Sequence, residues 1–204
     1  MITLLYKEKT RATRPLWVLE ELSELGPRVP FELRRVDFEH GENQRPEYLR
    51  IHPHGLVPAL IDGETTIFET AAICLYLADR FIDRGLAPRF GSPERAAYYQ
   101  WMAWCPATLE PAIGLWAWHT RLFPEPERVP RLAESGKAKF AECARVLEAA
   151  LRGPFILGER FSVDDVLLGG NLLWARRTGL EAGAALDAYL DRLLARPAAK
   201  RVFT

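Results

Sequence analysis

The chain of 204 residues is poor in cysteine, and none of its cysteines stands close enough to another to act as a pair. Cys74, Cys105 and Cys143 are odd in number and widely spaced. That speaks against a disulfide framework and for a reducing compartment. Each lies in an apolar helical context and reads as a small buried hydrophobe. With no CxxC pair, dithiol redox chemistry has no support. Neither sign of charge is in excess, since 27 basic residues face 27 acidic ones. A main partner of nucleic acid or anionic membrane would call for a positive field, and none is visible. No apolar run is long enough to span a bilayer. The apolar opening Ile2–Tyr6 is broken at once by Lys7, Glu8 and Lys9, unlike a secretory signal. These absences leave a cytoplasmic protein acting on a small, neutral or locally steered molecule.

What is present falls into two halves. Ile2–Tyr6 is short, β-branched and apolar, as expected of a buried central strand. Pro15 fits the first turn of a helix whose apolar face is Leu16, Val18, Leu19, Leu22 and Leu25, ended by Gly26-Pro27. Residues 31–38 read as a second strand, giving β-α-β with parallel strands. A short helix is expected around Pro46–Leu49. Residues 57–61 and 65–68 flank Asp62-Gly63 as an antiparallel hairpin, and an amphipathic helix follows over 71–81. Composition then shifts to Gly, Pro, Arg and Ser across residues 83–92, which reads as a linker. Beyond it only helical patterns appear, over about 93–120, 129–151, 163–178 and 184–194, the first kinked by Pro106 and Pro111. The expected organisation is therefore an α/β domain over residues 1–82 (βαβ-ββα) and an all-helical domain over 93–204.

Three short segments carry chemistry. In His52-Pro53-His54-Gly55-Leu56-Val57-Pro58-Ala59-Leu60, Pro58 opens an otherwise buried strand and removes a backbone donor there. Glu69-Thr70 stands before a helix: Thr70 is a natural N-cap, and the helix N-terminus offers free N–H groups to an anion. After the Val57-Pro58 hairpin, this makes a site for an amino-acid zwitterion, with Thr70 on its carboxylate and Glu69 on its ammonium. Ser162, with Asp165 three residues on, forms a capping box closed by Phe161 and Val166, so Asp165 reads as structural. His52 and His54 have no evident third ligand and read as turn residues rather than a metal pair.

The stretch HPHGLVPALIDGETTIFETAAICLYLADRF resembles the N-terminal signature of the glutathione transferase superfamily: Asn/His-Pro-x-Gly-x-Val-Pro-x-Leu, a hairpin, Glu-Ser/Thr-x-Ala-Ile, then Tyr-Leu. TRATRPLWVLEEL is similar to the start of many bacterial members. RAAYYQWMAWCPATLEPAI and FILGERFSVDDVLL resemble the family's fourth and sixth helices. The match runs over nearly the whole chain in the right order. It implies a thioredoxin-like domain that binds glutathione, followed by a helical domain that completes the active site.

The resemblance also assigns roles. In thioredoxin-like folds the proline at Pro58 follows a cis bond, which turns the N–H and C=O of Val57 outward to pair with an extended peptide. Glu69 and Thr70 would hold the γ-glutamyl end. The nucleophile would be the glutathione thiolate, stabilised by a hydroxyl after the first strand. Thr10 aligns with the usual serine, with Thr13 as the second hydroxyl within reach. Tyr6 belongs to the strand and packs. Many members carry Lys where this chain has Leu56, so the glycyl carboxylate would fall to Asn43, His40 or Arg14, with Asn43 preferred from its spacing. A small hydrophobic electrophile would meet Trp104, Thr108 and Trp116 of the helical domain. Glutathione is then the co-substrate, no metal is required, and a homodimer is implied. The rival readings are a non-catalytic scaffold or stress regulator on the same fold, and a glutathione-dependent peroxidase or dehalogenase.

Overall fold

The computed structural model describes residues 1–203 and divides into two compact units. The first runs from Met1 to Ala87 and takes in the C-terminal residues from Arg196 onward; the second is Pro88–Ala195. The expected single block over 93–204 differs from what is seen, because the chain end joins the first unit.

The first unit is built on β1 (Ile2–Tyr6), α1 (Thr13–Glu24), β2 (Phe31–Arg35), the short α2 (Pro46–Leu49), β3 (Ala59–Asp62), β4 (Thr65–Phe68) and α3 (Thr70–Arg80). The sheet order is β2-β1-β3-β4, with β1 and β2 parallel and the other pairs antiparallel. The sequence places the strands as expected, although β2 is shorter than residues 31–38. Glu32, Leu33, Arg34 and Arg35 are exposed, and their charges suit an edge strand that must not pair with another chain. Side chains alternate along β1 and β3. Leu5 and Ala59 join Ala12, Val36, Tyr48 and Val57 in one buried cluster, while Leu4 and Leu60 turn to the opposite face, both fully buried.

The chain end returns to α1 through α9 (Pro197–Phe203). Arg196 grips the buried Glu21 with two hydrogen bonds of 2.6 Å, and the Trp17 indole N–H donates to the same carboxylate at 2.9 Å. The Phe203 ring meets Trp17 edge-on at 5.5 Å, and Arg201 pairs with Glu20 and Glu24. A buried carboxylate needs such a partner. Its partner lies 175 residues away in sequence, which no local pattern announces.

The second unit is built of helices: α4 (Glu94–Trp104), α5 (Glu110–Ala117), α6 (Pro130–Ala150), α7 (Val163–Thr178) and α8 (Ala184–Leu194). The expected kinks at Pro106 and Pro111 take a definite form. A π-helical segment, Cys105–Leu109, joins α4 to α5 and absorbs Pro106, and a second, Trp118–Leu122, follows α5. Helices α5 and α6 approach so closely that a Cβ on Gly136 would lie 2.6 Å from the Trp116 backbone nitrogen.

At the start of α7 the capping box closes as read from sequence, the Ser162 N–H donating to Asp165 Oδ2 at 2.8 Å. Asp165 is fully buried and also accepts from the Ile156 N–H at 2.9 Å and the Tyr189 hydroxyl at 2.6 Å. Burial raises its pKa against these hydrogen bonds. Asp164, 1% exposed, has the Ser162 hydroxyl 3.2 Å from its Oδ2, and its Oδ1 has no hydrogen-bond partner among the described residues. Burial, and then the charge of Asp165, push the Asp164 carboxyl well above its ordinary range. A carboxyl whose folded pKa exceeds its unfolded value of ~3.9 stabilises the fold while protonated, and that stability is lost as pH rises through the folded value. Asp164→Asn cannot ionise. It is expected to exceed the parent in stability by about 1–3 kcal/mol near neutral pH and to converge with it near about pH 4. Urea unfolding of both proteins across that range measures the difference, and parallel curves would refute it.

Candidate functional site

Register gathers the chemistry. Ala59, the first residue of β3, pairs with Leu5 on one side and Phe68 on the other, and Tyr6 pairs with Arg35. The ends of β1, β2 and β4 and the start of β3 therefore meet at one end of the sheet. Four segments leave that end: Lys7–Ala12 after β1, Val36–Phe38 after β2, Leu56–Pro58 before β3, and Glu69-Thr70 after β4. With strands spaced ~4.8 Å apart, they span about 14 Å from β4 to β2. An extended tripeptide covers roughly 10–11 Å.

The middle of this edge is Val57. The Val57–Pro58 bond is cis. Val57 is 9% exposed, and its N–H and C=O have no backbone partner among the described residues. The turn before it is held from below. The Asn43 amide donates to the Gly55 carbonyl at 2.7 Å, and the Tyr48 hydroxyl to the Leu56 carbonyl at 2.6 Å. Burial, with the charge of Glu42 next, pushes the Tyr48 pKa up to about 12, so it remains a donor. Gly55 has φ +62, and a Cβ there would lie 2.7 Å from the Asn43 carbonyl oxygen, so the tight turn requires glycine.

At the β4 side, Glu69 rather than Thr70 is the N-cap of α3, and no side chain caps the helix. Thr70 is the first helical residue, 9% exposed. The sequence expectation shifts by one residue because Glu69 takes φ 74, an unusual conformation for an L residue outside a turn. This leaves the first-turn N–H groups open, and the exposed Glu69 carboxylate makes no hydrogen bond or ion pair among the described residues. Beside it, His52 and His54 pack on Phe68 with ring centroids 5.0 and 6.5 Å away. His52 is 4% exposed; burial lowers its pKa, against the pull of Glu69, which favours a neutral ring.

At the β1 side, the Thr10 hydroxyl donates to the Lys7 carbonyl at 2.7 Å and accepts from the Ala12 N–H at 3.2 Å. Thr13, the first residue of α1, donates to the Thr10 carbonyl at 2.9 Å. Tyr6 packs against the cluster that contains Val57. The structure thus brings Thr10, Leu56, Val57, Pro58, Glu69 and Thr70 to one sheet end. Asn43 is placed differently: 7% exposed, its amide supports the turn instead of facing outward. Sequence reasoning missed Tyr48, a lone aromatic in a four-residue helix with no pattern to mark it. In the helical unit, Trp104 meets Trp101 edge-on at 5.3 Å, Thr108 is exposed on the first π-helical segment, and the Trp116 indole donates to the Thr178 carbonyl at 2.9 Å.

If Asn43 is a strut, removing it leaves the Gly55 carbonyl buried without a donor. Asn43→Ala is expected to cost about 2 kcal/mol of stability in urea unfolding; an Asn43 that only touched a ligand would leave the midpoint unchanged.

The family described as "Glutathione S-transferase, N-terminal domain" matches residues 2–79. Glutathione S-transferase GST-4.5 of Xanthomonas campestris pv. campestris is 31% identical over 170 residues, covering 82% of each chain. Disulfide-bond oxidoreductase YfcG of Escherichia coli is 32% identical over 180 residues, covering 83% of this chain and 81% of its own. Among solved structures, the theta class glutathione S-transferase of Xanthomonas axonopodis pv. citri with glutathione bound superposes with a TM-score of 0.81 at 29% identity, covering 100% of this chain and 97% of that one. With a thioredoxin-like first unit, a helical second unit and these relatives, the chain belongs to the glutathione S-transferase superfamily.

Proposed function

We propose that this protein binds glutathione across the sheet end of its first unit and transfers the thiolate to a small hydrophobic electrophile. The observation that carries the reading is the backbone of Val57, unpaired among the described residues, beside Glu69, which has no partner among them, at a helix N-terminus that no side chain caps. Val57 offers one donor and one acceptor to the cysteinyl backbone as a short antiparallel ladder. Glu69 takes the γ-glutamyl ammonium, and Thr70 with the first-turn N–H groups of α3 takes its carboxylate. Leu56 and Pro58 flank the peptide. Thr10 turns its hydroxyl from the Lys7 carbonyl to the sulfur, where a charged acceptor makes the stronger hydrogen bond. Trp104, Thr108 and Trp116 receive the electrophile. The bound glutathione of the citrus-canker relative supports the first part of this reading. The cytoplasmic, homodimeric setting implied by the family resemblance completes it.

A second reading has its own support, since the Escherichia coli relative is named a disulfide-bond oxidoreductase. It uses the same glutathione site and differs in the second substrate. A calorimetric titration with glutathione is the test, followed by assays with an aromatic electrophile and a small disulfide. Glu69→Ala is expected to abolish measurable binding. Thr10→Ala is expected to bind but lose conjugation by about a hundredfold, the scale for one lost donor to a developing anion. Turnover of the disulfide alone would favour the second reading, and a parent that binds no glutathione would overturn both.

A further inference from the structure

A hydrogen bond to one end of a peptide group acts at both ends. In a trans peptide the C=O and the following N–H share a plane and point to opposite sides. The Leu56–Val57 bond is such a unit, since the cis bond of this turn is the next one, Val57–Pro58. Its carbonyl is taken by the Tyr48 hydroxyl at 2.6 Å. Its N–H, that of Val57, therefore points away from Tyr48, and it has no backbone partner among the described residues. Asn43 holds the peptide unit one step earlier, through the Gly55 carbonyl at 2.7 Å. Tyr48 is thus bonded to the same peptide unit that offers its donor to a ligand.

Packing alone does not call for this oxygen. Tyr48 is 2% exposed, and its ring lies in the cluster that also contains Leu5, Ala12 and Val57, a place that phenylalanine would fill. The hydroxyl makes no other hydrogen bond among the described residues. The charged groups that act on it, Glu42 and Arg34, pair with each other at 2.6 Å. With its pKa pushed up to about 12, chiefly by burial, Tyr48 keeps its proton across any assay near neutral pH. Donation to a carbonyl polarises the amide and strengthens its N–H as a donor.

We propose that Tyr48 is a positioning residue for the reaction. Its hydroxyl aims and strengthens the Val57 N–H that receives the cysteinyl carbonyl of glutathione, and so sets where the sulfur lies relative to Thr10. The assignment rests on the glutathione reading above and deepens it. The effect passes through the Leu56–Val57 peptide, without contact between Tyr48 and the sulfur.

Tyr48→Phe keeps the ring and deletes the donor. Calorimetry is expected to show glutathione bound about fivefold more weakly, the scale of one neutral hydrogen bond. S-methylglutathione should lose the same factor, because the contact is to backbone. The inflection of kcat with pH, which reports the bound thiol, should move up toward the free value of ~8.5. A double-mutant cycle separates this role from a merely structural one. The kcat loss from Tyr48→Phe is expected to be about tenfold in the parent and about twofold or less beside Thr10→Ala. Tyr48→3-fluorotyrosine, a stronger donor of nearly the same shape, should bind glutathione at least as tightly as the parent, and it decides the matter alone if Tyr48→Phe does not fold. A Tyr48→Phe protein with a lowered thermal midpoint but parental affinity and an unmoved inflection overturns the assignment. So do additive losses in the cycle, or weaker binding by the Tyr48→3-fluorotyrosine protein, and each leaves the glutathione site standing. A parent that binds no glutathione overturns both.

Discussion

Ala59 stands in register between two strands, facing Leu5 across one ladder and Phe68 across the other, and the whole ligand edge depends on that register. A slip of one residue would turn Leu5 and Ala59 away from the cluster of Val36, Tyr48 and Val57 and carry Glu69 off the end that holds Thr10. The register is secured by burial on both faces, since Leu4 and Leu60 on one and Leu5 and Ala59 on the other are all fully buried. Side chains serve as the ruler that sets the spacing of backbone groups and charges along the edge.

Below that edge lies a second layer that holds the turn. Asn43 and Tyr48 fix the carbonyls of Gly55 and Leu56, so Val57 meets a ligand with its backbone already oriented. Both are 12 or fewer residues from their acceptors, yet they come from a different local structure, a 3₁₀ turn and a short helix. Preorganisation of this kind lowers the ordering cost of binding. The return of the chain end to α1 works at longer range. The ion pair of Arg196 with the buried Glu21, beside Trp17, steadies the helix that starts three residues after Thr10.

Much of this was legible in the sequence because it is local. Val57-Pro58 before a hairpin, Glu69-Thr70 before a helix, and Ser162 with Asp165 each carry their meaning within a few residues. The β-α-β then β-β-α order followed from periodicity and turn residues. What escaped depends on distance or on a backbone angle. The positive φ of Glu69 moved the cap of α3 back by one residue. Asn43 looked like a ligand contact because its spacing was right, but its side chain turns inward. Asp164 is a buried carboxyl with a bare oxygen, and nothing in Ser-Val-Asp-Asp distinguishes it from the box residue beside it.

The energetic demand on such a site is modest, which bears on whether threonine can stand where serine is usual. A free thiol has a pKa near ~8.5, and bringing it to about 7 means favouring the thiolate by roughly 2 kcal/mol. One hydrogen bond to a charged acceptor supplies about 1.5–3 kcal/mol, less about 0.5–1.5 kcal/mol for the donation to the Lys7 carbonyl that it replaces, so the hydroxyl of Thr10 covers part of that demand. Its present bonds, a donation to the Lys7 carbonyl and an acceptance from the Ala12 N–H, hold the oxygen in place and leave only the proton to be redirected. The β-branch stiffens the side chain about χ1. The methyl that separates threonine from serine therefore restricts where the oxygen sits without removing its donor. Under the proposed mechanism the constraint on residue 10 is a hydroxyl at this place, and the burden of rate enhancement passes to how firmly Val57, Glu69 and Thr70 hold the sulfur in front of it.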